Sequence, residues 1–292
     1  MSEEVKSNVK GGLKNKTKRQ KLIAVNFKMN LDHLEMTRYV QKLHWLLQDA
    51  NHDYGSVQVV LLAPFTDLRS MQVLIQSDKM PLLYGAQDIS MHDEGPYTGE
   101  ISGKQLKKLG CSYTLVTHTE RRNYHFEDDV VMMRKATKAL KNGIKPIICL
   151  GEQDEEPRTE PNFEFLYSQL QPVIDKINSI GKKDVIPFLE NVVIAYEPRW
   201  AVSNGHNCAP NFTNEVFTGL RKKIIEEIGE EMAYKVRLVY GGSVNLQNIG
   251  DYVIQDEIDG VLIGKAALDV ENFAKMVRVT SKVIKTSKRV NK

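Results

Sequence analysis

Glu197 closes an apolar run at 192–197 (VVIAYE) and is followed at once by Pro198, Arg199 and Trp200. A carboxylate so placed is partly desolvated by apolar and aromatic neighbours, which raises its proton affinity and its strength as a base towards a carbon acid. A strand-end glutamate can equally be a structural ion-pair member. His118 closes another run, in Thr117-His118-Thr119-Glu120-Arg121-Arg122, where Thr119 could cap a helix beginning at Glu120. A helix N-terminus aimed at an imidazole disfavours its protonation and leaves a neutral electrophile able to pass a proton between two oxygens. Taken alone, such a histidine also reads as a satisfied structural residue, the reading kept for His33, His44 and His125.

Lys28 leaves a third run two residues after Asn26, so in an extended segment both side chains project to one side. A lysine beside an asparagine suits a developing oxyanion and a fixed carbonyl; its plain alternative is a surface lysine. Phosphate needs converging backbone amides, and the turns Gly241-Gly242-Ser243 and Gly264-Lys265 can supply them. Each such turn is a weak signal by itself.

Eight short apolar, β-rich runs carry these residues: 22–27, 57–63, 82–87, 113–118, 146–150, 192–197, 236–240 and 260–264. Near-continuous apolar runs are the pattern of parallel strands covered on both faces. Amphipathic segments at 36–47, 129–141, 163–177, 214–228 and 270–283 lie between them and read as helices. Eight βα units in a row fit a closed barrel or an open doubly wound sheet. Polar residues at the carboxyl ends of the runs favour a single-domain (β/α)8 TIM barrel over residues 21–292, where chemistry sits on the loops after the strands. The acidic stretch 153–161 (QDEEPRTEP) reads as a surface loop.

The remaining composition narrows the class. Of 292 residues, 41% are hydrophobic and 26% charged, which is enough for a sizeable core. The net charge of +3 comes largely from residues 1–20, where Lys6, Lys10, Lys14, Lys16, Lys18 and Arg19 outweigh Glu3 and Glu4. This arm reads as a solvated, disordered tail, without the apolar core of a secretory signal. The near-neutral body has no basic stripe, so no nucleic-acid partner is expected. No apolar run approaches the roughly 18 residues of a membrane helix. Three scattered cysteines fit a reducing, cytoplasmic setting, and neither cysteine nor histidine spacing predicts a metal or other cofactor.

In chain order, NFKMN at 26–30, GAQDIS at 85–90, YTGEIS at 97–102, HTERR at 118–122, CLGE at 149–152, YEPRWAV at 196–202 and YGGSVN at 240–245 closely resemble the triosephosphate isomerase family. The resemblance runs from Lys21 to about Ile284. It implies an aldose-ketose isomerase acting on glyceraldehyde 3-phosphate and dihydroxyacetone phosphate. In it Glu197 is the base, His118 the neutral electrophile, Lys28 the enediolate stabiliser and Asn26 an orienting group, with Glu120 tying Lys28 in place. Residues 198–208 would form a closing lid. Amides of Ser203, Ser243, Gly264 and Lys265, beside Gly241 and Gly242, would hold the phosphate. It further implies a homodimer whose contact loop lies around Thr98.

The chain departs from the family pattern around the lid and phosphate: Arg199 stands at a hinge position usually valine, Ser203 at a lid tip usually glycine, and His206-Asn207-Cys208 where Lys-Thr-Ala is usual. Lys265 replaces the second of two glycines, as in a branch resembling isomerases of tetrulose phosphates, so an erythrulose-phosphate isomerase is the alternative. A non-catalytic phosphosugar-binding barrel is a further one. A sugar-phosphate aldolase has no support, because no strand-end lysine takes the glutamate's place.

Overall fold

The computed structural model describes residues 19–202 and 207–290. Eight strands, β1 (Lys21–Asn26), β2 (Val57–Ala63), β3 (Leu83–Ala86), β4 (Tyr113–Val116), β5 (Lys145–Leu150), β6 (Val193–Tyr196), β7 (Arg237–Tyr240) and β8 (Gly260–Ile263), pair in parallel in chain order. Pairing of β1 with β8, Leu22 opposite Gly260 and Val25 opposite Ile263, closes the sheet into a barrel. Gly260 permits that closure: a Cβ there would meet the Leu22 carbonyl oxygen at 1.9 Å.

Eleven helices connect or cover the strands: α1 (His33–Asp49), α2 (Leu68–Ser77), α3 (Gly103–Lys108), α4 (Thr119–His125), α5 (Asp129–Lys141), α6 (Phe163–Ser179), α7 (Lys182–Asn191), α8 (Pro210–Ile228), α9 (Glu230–Ala233), α10 (Ile249–Val253) and α11 (Val270–Val290), among the described residues. Their starts follow from local chemistry. The Asp32 side chain accepts from the Leu34 and Glu35 amides while Glu35 returns a bond to the Asp32 amide, a reciprocal cap. Ser102 with Gln105 repeats the arrangement for α3. On α6 the buried Leu166, Leu170, Val173, Ile174 and Ile177 recur at helical spacing.

Strand alternation sorts the apolar residues into two cores. Leu22, Ala24, Val60, Leu62, Leu115, Ile147, Val193 and Val239 fill the barrel interior. Ile23, Val25, Val59, Leu61, Ile148 and Leu238 face outward and pack under the helices. Burial on both faces explains why the strands read as continuous apolar runs. All eight expected strands are present, most shorter by one or two residues at the carboxyl end, because the polar closing residues belong to the loops.

One detail differs from expectation. Arg19 and Gln20, assigned to the arm, are anchored on the body: Arg19 donates to Asp259 at 2.6 Å and Gln20 to the Tyr54 carbonyl at 2.8 Å. Residues 1–18 of the arm lie outside the described residues. The acidic stretch 153–161 is a surface loop, as expected, and is tied to the segment after β6, where Arg199 donates to Glu155 at 2.5 Å and to the Gln153 carbonyl at 3.4 Å.

Candidate active site

A cavity of about 950 Å³ opens at the carboxyl ends of the strands, lined among others by Asn26, Lys28, His118, Glu197, Gly241, Gly242, Ser243, Gly264 and Lys265. Residues far apart in the chain therefore meet at one rim. Each owes its place to a strand end.

Glu197 follows β6 directly and is fully buried. Its amide donates to the Leu150 carbonyl at 2.7 Å, which pins the backbone to the neighbouring strand. One carboxylate oxygen, Oε2, accepts from the Thr119 amide at 3.4 Å, and the Glu197 carbonyl accepts from the Thr119 hydroxyl at 3.1 Å. The other, Oε1, lies 3.4 Å from His118 Nε2 but forms no hydrogen bond among the described residues. A buried carboxylate oxygen with an open lone pair is poised to take a proton from whatever fills the cavity. Gly241 makes room for it, since a Cβ there would stand 2.5 Å from Glu197 Cγ and 2.8 Å from Oε1. Below, the Cys149 thiol is held well above its ordinary pKa by burial and then by the Glu197 charge.

His118 corrects the sequence reading in one respect. Thr119 was expected to cap the helix, but His118 itself is the N-cap of α4, and its Nδ1 accepts from the Glu120 amide at 3.2 Å. The imidazole, bent back over the first turn, accepts one of the amides left free there, while the Thr119 hydroxyl is given to the Glu197 carbonyl. The consequence favours the expected chemistry: with Nδ1 an acceptor, the proton of a neutral ring sits on Nε2, facing Glu197 and the cavity. Thr117, just before it, adopts φ +54°, a rare conformation for a β-branched residue. Backbone strain of this kind collects where a side chain is aimed rather than merely packed.

Lys28 supplies a second correction. It does not continue an extended strand; it has φ +52°, and β1 ends at Asn26. A turn, not alternation, sets its direction. The Asn26 side chain accepts from the Lys28 amide at 2.9 Å, Asn30 donates to the Phe27 carbonyl at 2.7 Å, and Gln87 donates to the Lys28 carbonyl at 2.9 Å. Lys28 Nζ meets Glu120 Oε1 at 2.6 Å. Glu120 does not line the cavity; it stands behind the lysine and holds it.

On the side expected to take phosphate, Gly264 and Lys265 open a single 3-10 turn, Lys265–Ala267, whose first amides have no partner within the turn. Lys265 is exposed at the rim. The Ser243 amide, expected to be a phosphate donor, is instead given to the Ala201 carbonyl at 3.0 Å. The turn after β7 folds back onto the segment after β6, so this donor is engaged in the present conformation. Gly242 is required by packing, a Cβ there meeting the Tyr240 hydroxyl at 1.9 Å. Ser203 lies outside the described residues, as do 204–206 of the expected lid. Cys208, also of that segment, is buried, and burial pushes its thiol up to about 12.

Sequence reasoning missed three contributors: Gln87, the Thr119 backbone amide and Gly151, whose Cβ would meet the Glu197 carbonyl at 2.3 Å. The Thr119 amide and the Gly151 clearance leave no side-chain signature, and the Gln87 side chain acts only because it meets the Lys28 carbonyl, 59 positions away in the chain.

A family model described as triosephosphate isomerase matches residues 21–280, nearly the whole barrel. The chain belongs to the triosephosphate isomerase family. Among its relatives, the triosephosphate isomerase of Leifsonia xyli subsp. xyli is 43% identical over 91% of this chain and 100% of its own length. That of Streptomyces coelicolor is 46% identical over 90% and 98%, and that of Mycobacterium tuberculosis 44% identical over 90% and 97%. The matched family span includes every strand and each of the described cavity residues named above.

Proposed function

We propose that the protein interconverts glyceraldehyde 3-phosphate and dihydroxyacetone phosphate through an enediolate. The observation that carries this reading is the buried Glu197 carboxylate, one oxygen without a hydrogen-bond partner among the described residues and 3.4 Å from the Nε2 of a histidine whose Nδ1 already accepts a backbone amide. In this reading Glu197 takes the proton from the substrate carbon next to the carbonyl. His118 gives its Nε2 proton to the carbonyl oxygen as charge develops and recovers one from the adjacent hydroxyl, so the ring ends neutral. Lys28, held by Glu120, stabilises the oxyanion, and Asn26 fixes both the lysine's turn and the substrate oxygen. Protonation at the neighbouring carbon by Glu197 completes the exchange. No redox change occurs, and no metal or organic cofactor has a role.

Phosphate binding by the amides of Gly264 and Lys265, with Ser243 after release from Ala201, would hold the substrate at the right reach; Ser203 joins them in the same reading. We also propose a homodimer with its contact around Thr98. The loop there is exposed, and Met29, beside Lys28, has an apolar side chain 97% exposed. Light scattering should return twice the chain mass. The three described cysteines are free and buried, which supports a reducing, cytoplasmic setting. Among the described residues no helix is long and apolar enough to cross a membrane.

A panel of triose and tetrose phosphates tests the substrate. The triose phosphates should isomerise with kcat/KM of about 10⁷–10⁸ M⁻¹s⁻¹. A rate thousands of times lower, with faster turnover of erythrulose phosphate, would move the assignment to the tetrulose branch, and absence of proton exchange at the substrate carbon would leave only a binding barrel.

A further inference from the structure

At the amino end of the strands, opposite the cavity, lies a second depression of about 420 Å³ lined by residues including Arg19, Gln58, Lys145, Glu190, Lys235 and Arg237. Lys145 and Arg237 are the first residues of β5 and β7 and share the inward phase of Ile147 and Val239. Arg237 is only 8% exposed. Its guanidinium donates to Gln58 Oε1 at 2.9 Å and to the Tyr113 hydroxyl at 2.7 Å, both neutral groups, and among the described residues no carboxylate lies at ion-pair distance.

The surrounding charges do not make up the deficit. Lys145 also has no carboxylate at ion-pair distance among the described residues; burial and then the neighbouring Arg237 lower its pKa below the ordinary lysine value, against a weaker pull from Glu190. Glu190 is itself held by Lys235 at 3.1 Å. Arg19 and Arg221 share Glu257 and Asp259. Among the described residues, the lining itself brings four cations, Arg19, Lys145, Lys235 and Arg237, to one carboxylate, Glu190; Arg19 is turned to Asp259 and Lys235 to Glu190, which leaves Lys145 and Arg237 with no carboxylate at ion-pair distance. Charge held out of water without a counter-ion is costly. Beside them, the Tyr113 ring, 5.9 Å from Lys145 Nζ and 5.8 Å from Arg237 Cζ, offers both cations a neutral face but no counter-charge.

We infer that this depression is an anion site for a phosphate-class dianion, either free or as the terminal group of a small monoester. The lining suits it: guanidinium and ammonium groups only donate, a tetrahedral oxyanion accepts on every face, and two negative charges match Lys145 and Arg237.

The test is calorimetric titration of the full-length protein with inorganic phosphate, and in a second arm with methyl phosphate, against sodium chloride at equal ionic strength. Two classes of phosphate should bind per protomer, one at the carboxyl-end cavity and one at the amino-end floor. Lys145→Gln changes a half-buried side chain and should weaken one class by ~10-fold or more, as loss of a charge-assisted contact does, while sparing the other class and the isomerase rate. Arg237→Met should abolish that class; if it fails to fold, Lys145→Gln decides alone. Methyl phosphate binding at the floor as well as inorganic phosphate would identify esters as ligands, and its exclusion would restrict the site to the free ion. A single class in the unaltered protein, or two classes unchanged in Lys145→Gln, overturns the inference.

Discussion

Replacing Gly241 with alanine should inactivate the enzyme without unfolding it. The new Cβ would stand 2.5 Å from Glu197 Cγ, 2.8 Å from Oε1 and 3.1 Å from Cδ. Ordinary carbon contacts need roughly 3.5–4.0 Å, so the glutamate must retreat by about 1 Å. It is fully buried, with one oxygen bound to the Thr119 amide and the other beside His118, so no retreat preserves both relations. Misplacement of about 1 Å at a reacting group can cost ~10²-fold in rate. Gly241 does not lie in the left-handed region, so alanine adds no backbone strain, and the reduced freedom of the unfolded chain offsets part of the crowding by about 0.4–1 kcal/mol. Steady-state assays should show kcat down ~10²-fold and KM within ~3-fold, because the loss falls on the transition state rather than on phosphate binding. Gly250→Ala is the control: its Cβ would meet Val279 Cγ1 at 3.7 Å, an ordinary contact. A Gly241→Ala enzyme with kcat within ~5-fold of the original would refute the placement of the base, since a shift of that size could not then matter.

Glu197→Gln should lower kcat by at least ~10²-fold, the usual cost of removing a general base, and near-normal turnover would remove Glu197 from that role. Glu120→Gln keeps the shape beside Lys28 but loses the charge in the 2.6 Å contact; we expect kcat/KM to fall by ~10-fold with folding unchanged, and an unaltered value would make the pair incidental. Native protein at pH 8 should resist thiol reagents, because burial pushes Cys111 and Cys208 up to about 12 and Cys149 well above the ordinary range. At about 12 only ~10⁻⁴ of the Cys111 or Cys208 thiol is ionised, and prompt labelling of any of the three before unfolding would contradict their burial. Asp259→Ala removes a 2% exposed carboxylate that accepts from Arg19, Arg221 and the Leu238 amide. It should cost about 3–5 kcal/mol in urea unfolding, as loss of one partner from a buried ion network does, and a change below ~1 kcal/mol would show the network to be dispensable.

Much of this molecule is written locally. Apolar runs at 57–63 and 146–150, the cap at Asp32 and the helical spacing on α6 all depend on neighbours a few residues away, so they can be read without coordinates. Glu197, His118, Lys28 and Asn26 could be singled out for the same reason: each is a polar residue placed where an apolar run stops, and each sits in a short motif that the family shares.

Closure of the sheet was legible only indirectly, through polar residues at the strand ends and the family resemblance. Alternating strands and helices suit an open sheet as well as a barrel, and the choice rests on β1 meeting β8, where Gly260 lets the Leu22 backbone approach. Side-chain aim could not be read. Lys28 and Thr117 occupy left-handed backbone conformations that their residue types disfavour, and they stay there because Gln87, Asn26 and strand pairing hold them. His118 caps its own helix, and the Ser243 amide is taken by Ala201. Propensity acts over a few bonds, whereas these contacts join segments far apart in the chain. Sequence by itself therefore determined which residues and elements were available, and only the closed barrel decided which of them face one another.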